Sequence, residues 1–165
     1  YPVLGMILAN LAFSATDVFV DVGCGRGRAL CCAALHGYAK VVGIEVSLEL
    51  VEDAQRNAAR VPGGAERISV IRGDAAALGD NFPHDGTVFY MYFPFRNQTM
   101  ADFLDQLRIS LQMHPRRIRL VHHSIWPGSI LHRVPWLNRV ETMTPGIPVF
   151  EYDPQVQGEL VSKAK

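Results

Sequence analysis

The sequence predicts an α/β fold in which helices cover both faces of a mostly parallel, seven-stranded sheet. Short apolar runs rich in β-branched residues alternate with segments of helical periodicity, which is the pattern of a doubly wound sheet. A glycine cluster lies directly between the first such run and the helix that follows it. The last two apolar runs have no helical segment between them, so we expect an antiparallel hairpin at one edge of the sheet.

The first third of the chain predicts two helices and two strands. The opening helix is predicted by apolar residues that recur three and four positions apart, namely Leu4, Ile7, Leu8 and Leu11. Residues 18–22 are predicted to form a buried strand, and residues 41–44 a second one. Between them we expect a helix over residues 29–35 that ends at Gly37.

The middle of the chain continues this alternation. Ser47 is the predicted N-cap of the next helix, which the Pro-Gly-Gly sequence at 62–64 ends. The apolar face of that helix is predicted to carry Leu48, Val51 and Ala54. Residues 68–71 and 88–92 are the third and fourth predicted strands.

The last part of the chain predicts one helix and three strands. Thr99 and Asp102 have the spacing of a capping box at the start of the helix. The apolar positions of that helix are Phe103, Leu104, Leu107 and Leu111. Residues 118–121 are the fifth predicted strand, and residues 137–143 and 148–152 form the predicted hairpin around a Thr-Pro-Gly turn.

Composition and charge limit the class of protein. The 165 residues are 48% hydrophobic and 19% charged, which is typical of a folded domain. Sixteen basic and 16 acidic side chains give zero net charge, which argues against a nucleic-acid partner. No apolar run is long enough to cross a membrane. The length predicts one domain over residues 1–165. Because the chain begins at Tyr1 rather than at a methionine, we expect its N-terminus to be truncated.

The cysteines indicate a reducing compartment. Cys24, Cys31 and Cys32 are odd in number and contain no CxxC pair, so we expect no disulfide framework and a cytoplasmic location. No histidine or cysteine spacing is typical of zinc, so we expect no metal site. The sequence does not indicate the oligomeric state.

The glycine cluster predicts a nucleoside-bearing cofactor. Gly23, Gly25 and Gly27 let the backbone turn sharply and let a ligand lie against it without a clash with a Cβ atom. The helix after them begins with unpaired N–H groups that attract a polar or negative group. Glu45 ends the second predicted strand, where a carboxylate accepts hydrogen bonds from both hydroxyls of an adenosine ribose.

Two residues distinguish between possible cofactors. The dinucleotide fingerprint GxGxxG requires a third glycine at position 28, where this chain has Arg28. Asp21 stands two residues before the first glycine and would repel a pyrophosphate. The same carboxylate suits the cationic amino-acid end of S-adenosylmethionine (SAM).

The acid and the three glycines of this segment resemble the first motif of the class I SAM-dependent methyltransferases, acid-x-G-x-G-x-G. The resemblance covers about residues 17–124 of the chain. It implies a Rossmann-like sheet, SAM as the cofactor and methyl transfer as the reaction. The opening helix and the glycine segment are also similar to small methyltransferases distantly related to the histone-lysine Dot1 group. The implied cofactor-binding residues are Asp21, Gly23, Cys24, Gly25, Gly27, Glu45, Val46, Asp74 and Ala75, with Asp74 in the segment that reads the adenine amino group.

The sequence specifies the residues around the methyl acceptor less closely than those around the cofactor. Methyltransferases that act on planar amino groups often carry Asn or Asp after the fourth strand, where this chain has Phe93, which argues against adenine or glutamine as acceptor. We expect Tyr92 to line a methyl-transfer channel, and Phe93 and Phe95 either to line that channel or to pack in the core. His122 and His123 end the fifth predicted strand and point to opposite faces, so at most one enters a given pocket. We include His123 among the candidate channel residues, although no residue stands out as a general base.

The sequence therefore predicts a SAM-dependent methyltransferase acting on a small molecule or a protein side chain. A nicotinamide-dependent oxidoreductase is one alternative, against which Arg28 and Asp21 count. A non-catalytic SAM-binding module is the other, and Phe93 keeps it open.

Overall fold

A computed structural model describes residues 2–11, 14–92, 95, 97–123, 130–140 and 146–156. Its strands are β1 (Val18–Val22), β2 (Lys40–Glu45), β3 (Ile68–Arg72), β4 (Val88–Tyr92), β5 (Ile118–His123), β6 (Asn138–Val140) and β7 (Val149–Tyr152). They form one sheet in the order β3-β2-β1-β4-β5-β7-β6. The first five strands pair in parallel, whereas β7 pairs antiparallel with both β5 and β6. The predicted fold class, including the hairpin at the sheet edge, is confirmed.

Helices cover both faces of this sheet. They are α1 (Pro2–Asn10), α2 (Arg28–His36), α3 (Leu48–Ala58), α4 (Gly64–Arg67) and α5 (Asn97–Met113). Buried residues of α1, α2 and α3 share one apolar core with β1, β2 and β4, and buried residues of α5 form the core on the opposite face. Every residue of β1 is buried, as expected for a central parallel strand covered on both faces.

The predicted helices agree with the structure except around four features. α3 ends at Ala58, four residues before the Pro-Gly-Gly sequence that was predicted to end it. α5 begins at Asn97, so Thr99 lies inside the helix and is not its cap, and Asp102 instead accepts a hydrogen bond from the Gln98 amide at 2.9 Å. Leu48 is 50% exposed and does not share the buried face of Val51 and Ala54. The four-residue helix α4 was not predicted, because it begins at the second of two adjacent glycines and is too short to show periodicity.

The hairpin strands are shorter than predicted. β6 covers three of the residues predicted between 137 and 143, and β7 covers residues 149–152. Residues 141–145 lie outside the described residues. In the part of the chain that is described, no helix is both long and apolar enough to cross a membrane.

Both predicted caps are confirmed, Ser47 at the carboxyl edge of the sheet and Gly37 at the opposite edge, before β2. The Ser47 hydroxyl accepts a hydrogen bond from the Leu50 N–H at 3.4 Å, and Gly37 ends α2 with a left-handed φ of 115°. At Gly27 φ is +74°, and a Cβ atom there would lie 3.0 Å from the Cβ atom of Ala54 on α3. Gly27 is therefore required both for the turn into α2 and for the close approach of α2 to α3.

We predict that Gly27→Ala lowers the free energy of unfolding by about 2–5 kcal/mol, because left-handed strain and overpacking against Ala54 add. Gly146→Ala is the matched control, since Gly146 has a φ of +77° and open space around a Cβ atom. This control should lose only about 1–2 kcal/mol from the strain. Urea denaturation measures both values, and equal losses would contradict the packing role of Gly27.

Candidate functional site

The carboxyl ends of the parallel strands form a crevice at the centre of the sheet. The chain runs outward from β1 to β2 and β3 on one side, and from β4 to β5 on the other. The reversal of strand order falls between β1 and β4, where α/β sheets of this kind bind their ligands. The predicted site residues that the structure describes lie at this edge or in the loops that leave it.

The loop after β1 is held firmly against β2 and open on its outer side. The N–H groups of Gly23 and Cys24 both donate to the carbonyl oxygen of Ile44 at 2.9 Å. Gly23 and Gly25 have φ values of +78° and +52°, and a Cβ atom added at either would meet no heavy atom of the described residues within 4 Å. The loop therefore exposes bare backbone to open space, as a ligand cradle requires.

Glu45 joins the loops after β1, β2 and β3. Its carboxylate is 8% exposed and accepts hydrogen bonds from the N–H groups of Gly25, Val46 and Ser47 at 2.9–3.0 Å. Its backbone carbonyl accepts a hydrogen bond from the Gly73 N–H at 3.0 Å. A carboxylate offers about four acceptor directions, so these contacts leave about one for a ligand hydroxyl, not the two that the sequence predicted. The structural role of Glu45 was missed from the sequence.

Asp21 is a buried carboxyl group at the end of β1, next to this loop. Its residue is 3% exposed, and among the described residues its side chain has no hydrogen bond or ion pair. Burial raises the pKa of Asp21 to about 7, and the negative charge of Glu45 adds to this increase. A buried carboxyl without a partner beside open backbone is characteristic of a binding site.

Cys24 contributes packing and not reactivity. Its side chain lies beneath the loop, because a Cβ atom added at Gly43 would be 2.7 Å from its sulfur. Burial raises the pKa of the Cys24 thiol above its usual range, and the charges of Asp21 and Glu45 add to the increase. The thiol is therefore neutral, and only the Cys24 backbone is placed to meet a ligand.

Asp74 and Val46 stand at the outer side of the crevice, beyond Glu45. Asp74 is exposed, and its carboxylate accepts a hydrogen bond from the Ala76 N–H at 2.9 Å. Val46 is 66% exposed, whereas Ala75 is 6% exposed and packs in the core on the α5 face. Two of these three side chains thus reach the surface where the resemblance puts adenine, and Ala75 supports the loop from below.

Gln106 of α5 fixes the loop after β3, a role that sequence reasoning missed. Its amide oxygen accepts hydrogen bonds from the N–H groups of Leu78 and Gly79 at 2.8 and 3.2 Å. Its amide nitrogen donates to the carbonyl oxygen of Ala75 at 2.8 Å. One side chain therefore holds both ends of the segment that follows Asp74. A polar residue within an amphipathic helix gives no local signal of such a role.

The acceptor-side residues separate into two groups. Tyr92 is 45% exposed, and its ring centre lies 4.8 Å from that of His123 in an edge-on arrangement. Phe95 is half-buried and lies near Phe103 of α5, which favours the core-packing alternative for it. Phe93 falls outside the described residues.

The two histidines of β5 face opposite sides of the sheet. His122 is 5% exposed, while His123 is half-buried and its Nδ1 atom lies 3.0 Å from the Tyr90 hydroxyl. Burial lowers the pKa of both imidazoles below the usual value. Within the described residues, no group of three or more histidine, cysteine or acidic side chains is arranged to hold a metal ion.

Comparison with known proteins shows the family of this chain. A family model described as a methyltransferase domain matches residues 19–113, which is more than half of the chain. An RNA methyltransferase from Salinibacter ruber, solved in complex with S-adenosyl-L-homocysteine, is 26% identical. That alignment covers 92% of this chain and 89% of that one, with a TM-score of 0.59. No curated protein sequence matches the chain.

Two further solved structures share the fold at lower identity. Mitomycin 7-O-methyltransferase is 15% identical, with a TM-score of 0.65 over 91% of this chain and 52% of that one. The methyltransferase domain of the bacterial protein CtHen1 is 14% identical, with a TM-score of 0.63 over 91% of this chain and 96% of that one. At these identities the likeness concerns the fold alone.

We predict that Asp21→Asn stabilises the protein above pH 7 by an amount on the order of a few kcal/mol. The pKa of Asp21 is higher in the folded state than in the unfolded state, so its contribution to stability is complete below about pH 4 and is lost as the pH rises to about 7. Urea denaturation of both proteins at pH 5 and pH 8 tests this. A difference in stability that does not change with pH would contradict the raised pKa.

We predict that Gln106→Leu lowers the free energy of unfolding by about 1–3 kcal/mol, because two backbone N–H groups lose their acceptor. Hydrogen exchange at the Leu78 and Gly79 amides should become faster. Gln112→Leu changes an exposed residue of the same helix and serves as the control. Unchanged exchange at both amides in Gln106→Leu would show that Gln106 does not hold this loop.

Proposed function

This chain belongs to the methyltransferase domain family and is a SAM-dependent methyltransferase, and we propose that it binds the cofactor across the glycine loop and Glu45. In this arrangement the acceptor enters over the carboxyl ends of β4 and β5. The observation that carries the proposal is the buried carboxyl of Asp21, which has no hydrogen bond to a described residue, beside a loop whose glycines are open on the side away from β2 among the residues that the structure describes.

Asp21 supports the placement of the cationic end of the cofactor. A buried carboxylate without a partner is unfavourable, which is why its pKa is raised. A cation bound beside it stabilises the ionised form by direct attraction in a site of low dielectric constant. We therefore assign the amino-acid end of SAM, which carries the ammonium and sulfonium charges, to the Asp21 side of the loop.

Glu45 and Asp74 support the placement of the nucleoside. Glu45 has about one acceptor direction left for a ribose hydroxyl, and Asp74 presents an exposed carboxylate one loop further on. The Gly73 N–H donates to the Glu45 carbonyl, so the two acids are held at a fixed separation. Exposed Val46 offers an apolar surface for one face of the adenine.

Methyl transfer from SAM requires mainly that the donor and the acceptor are correctly positioned. Bound SAM supplies a methyl group on a positively charged sulfur, which is already an activated leaving group. The residues of this chain orient the donor on the loop and hold the acceptor in line with the methyl carbon. The exposed Tyr92 ring at the end of β4 excludes water from that line.

We propose a small molecule or a protein side chain as the acceptor and not a nucleic acid, although the Salinibacter ruber protein is named an RNA methyltransferase. The net charge is zero, and four of the arginines, Arg26, Arg56, Arg117 and Arg119, form salt bridges with acidic side chains. Their charges are thereby offset on the protein itself, which lowers their attraction for phosphates.

The proposal extends to location and domain organisation. All three cysteines are free, which supports a reducing cytoplasm. Because α1 packs in the same core as β1 and β2, and β7 and β6 extend the same sheet, we treat residues 1–165 as one catalytic domain.

We predict that Gly23→Ala weakens binding of S-adenosylhomocysteine at least about tenfold, because the new methyl group occupies the ligand cradle. Gly146→Ala is again the control, since its φ of +77° matches the +78° of Gly23. Both variants should lose similar stability, but Gly146→Ala should keep its affinity. Calorimetric titration measures the two dissociation constants, and unchanged affinity in Gly23→Ala would contradict the placement of the cofactor.

A further inference from the structure

We propose that His123 is the general base of this methyltransferase, that the Tyr90 hydroxyl orients it, and that the acceptor is a hydroxyl group on a planar small molecule. The inference rests on the proposed function, because it takes the cofactor to lie on the glycine loop. It goes further by naming the acceptor chemistry and the residue that receives the proton.

The sheet register puts His123 on the same face as the cofactor site. Asp21 pairs with Tyr90 across β1 and β4, and Tyr92 pairs with His123 across β4 and β5. Side chains alternate along a strand, so Asp21, Tyr90, Tyr92 and His123 share one face. β5 is two strand spacings, or about 10 Å, from β1, which leaves room for the reacting atoms between the loop and the imidazole.

The Tyr90 hydroxyl fixes the orientation of the His123 ring. Tyr90 is 1% exposed, and its ring stacks against Phe19 with centres 6.0 Å apart, so its hydroxyl is held in place. It lies 3.0 Å from Nδ1 of His123. When Nδ1–H donates to the Tyr90 oxygen, the lone pair of Nε2 is available to accept a proton. The same hydrogen bond then stabilises the imidazolium that forms.

His123 has the protonation state that a base requires. Burial lowers the pKa of His123, so the imidazole is neutral at pH 7. His122 does not provide an equivalent group, because it is buried on the opposite face of the sheet.

A hydroxyl acceptor uses this base most directly. Its oxygen forms a bond to the methyl carbon as the carbon–sulfur bond breaks, and the bonding pair stays on sulfur as S-adenosylhomocysteine forms. The hydroxyl proton moves to Nε2 of His123 and then to solvent, so the product is a neutral methyl ether. The Tyr92 ring is 45% exposed beside His123 and provides a flat apolar wall, which favours an acceptor hydroxyl carried on a planar ring.

The test supplies tritium-methyl SAM together with a panel of simple phenols and the matching anilines. The small-molecule, protein and RNA fractions of a cell extract are tested in parallel. We expect label in methyl ethers formed from phenols or from the small-molecule fraction. With that acceptor, His123→Ala should lower kcat about 100-fold or more, and added imidazole should restore part of the rate. Tyr90→Phe should lower kcat about tenfold with little change in KM.

The control variants separate this role from a structural one. His123→Ala should bind S-adenosylhomocysteine with the affinity of the unmodified protein, and His132→Gln, which changes an exposed histidine nearby, should keep full activity. The proposal is overturned by label only in anilines, protein or RNA, by an unchanged kcat in His123→Ala, or by SAM binding without label in any fraction. Failure of the unmodified protein to bind S-adenosylhomocysteine would instead overturn the cofactor placement on which the proposal rests.

Discussion

Three loops meet at Glu45, and the crevice keeps its shape because this one residue accepts a hydrogen bond from each of them. The carboxylate accepts hydrogen bonds from the N–H groups of Gly25 after β1 and of Val46 and Ser47 after β2. The backbone carbonyl of Glu45 accepts a hydrogen bond from the N–H group of Gly73 after β3. Loop backbone at a sheet edge has no ladder partners of its own, and unpaired N–H groups are costly when they are buried. A single residue therefore provides acceptors for four N–H groups in the loops that follow three strands.

The order of strands and helices followed from the sequence because central parallel strands leave a strong signature. Apart from Asp21, the runs at 18–22 and 88–92 are apolar or aromatic, since both faces of the sheet are covered, and their predicted bounds match β1 and β4. The start of α5 did not follow, because Thr99 and Asp102 fit a capping box although the helix begins at Asn97. A capping motif shows only that the local sequence could start a helix, and the surrounding fold determines whether the helix begins there.

The candidate site was only partly predictable, because sequence spacing locates residues along a strand but does not reveal contacts across loops. Asp21, Gly23, Gly25 and Glu45 were identified from a local motif, and the structure brings them together. Gly27 was assigned to the ligand with the other two glycines, but its lack of a side chain serves the contact with Ala54 of α3. Gln106 makes three hydrogen bonds to residues that precede it by 27 to 31 positions in the sequence, and no local pattern predicts them.

The burial of Asp21 has a consequence for how the protein distinguishes its substrate from its product. In the proposed arrangement the carboxyl faces an ammonium and a sulfonium before the reaction, and an ammonium and an uncharged thioether after it. The ionised carboxyl therefore attracts the donor, which carries one more positive charge, more strongly than it attracts the product. Turnover thereby removes part of the attraction that captured the donor, so spent cofactor is held less tightly than fresh cofactor. The same carboxyl that makes the empty crevice less stable would limit inhibition by accumulated product.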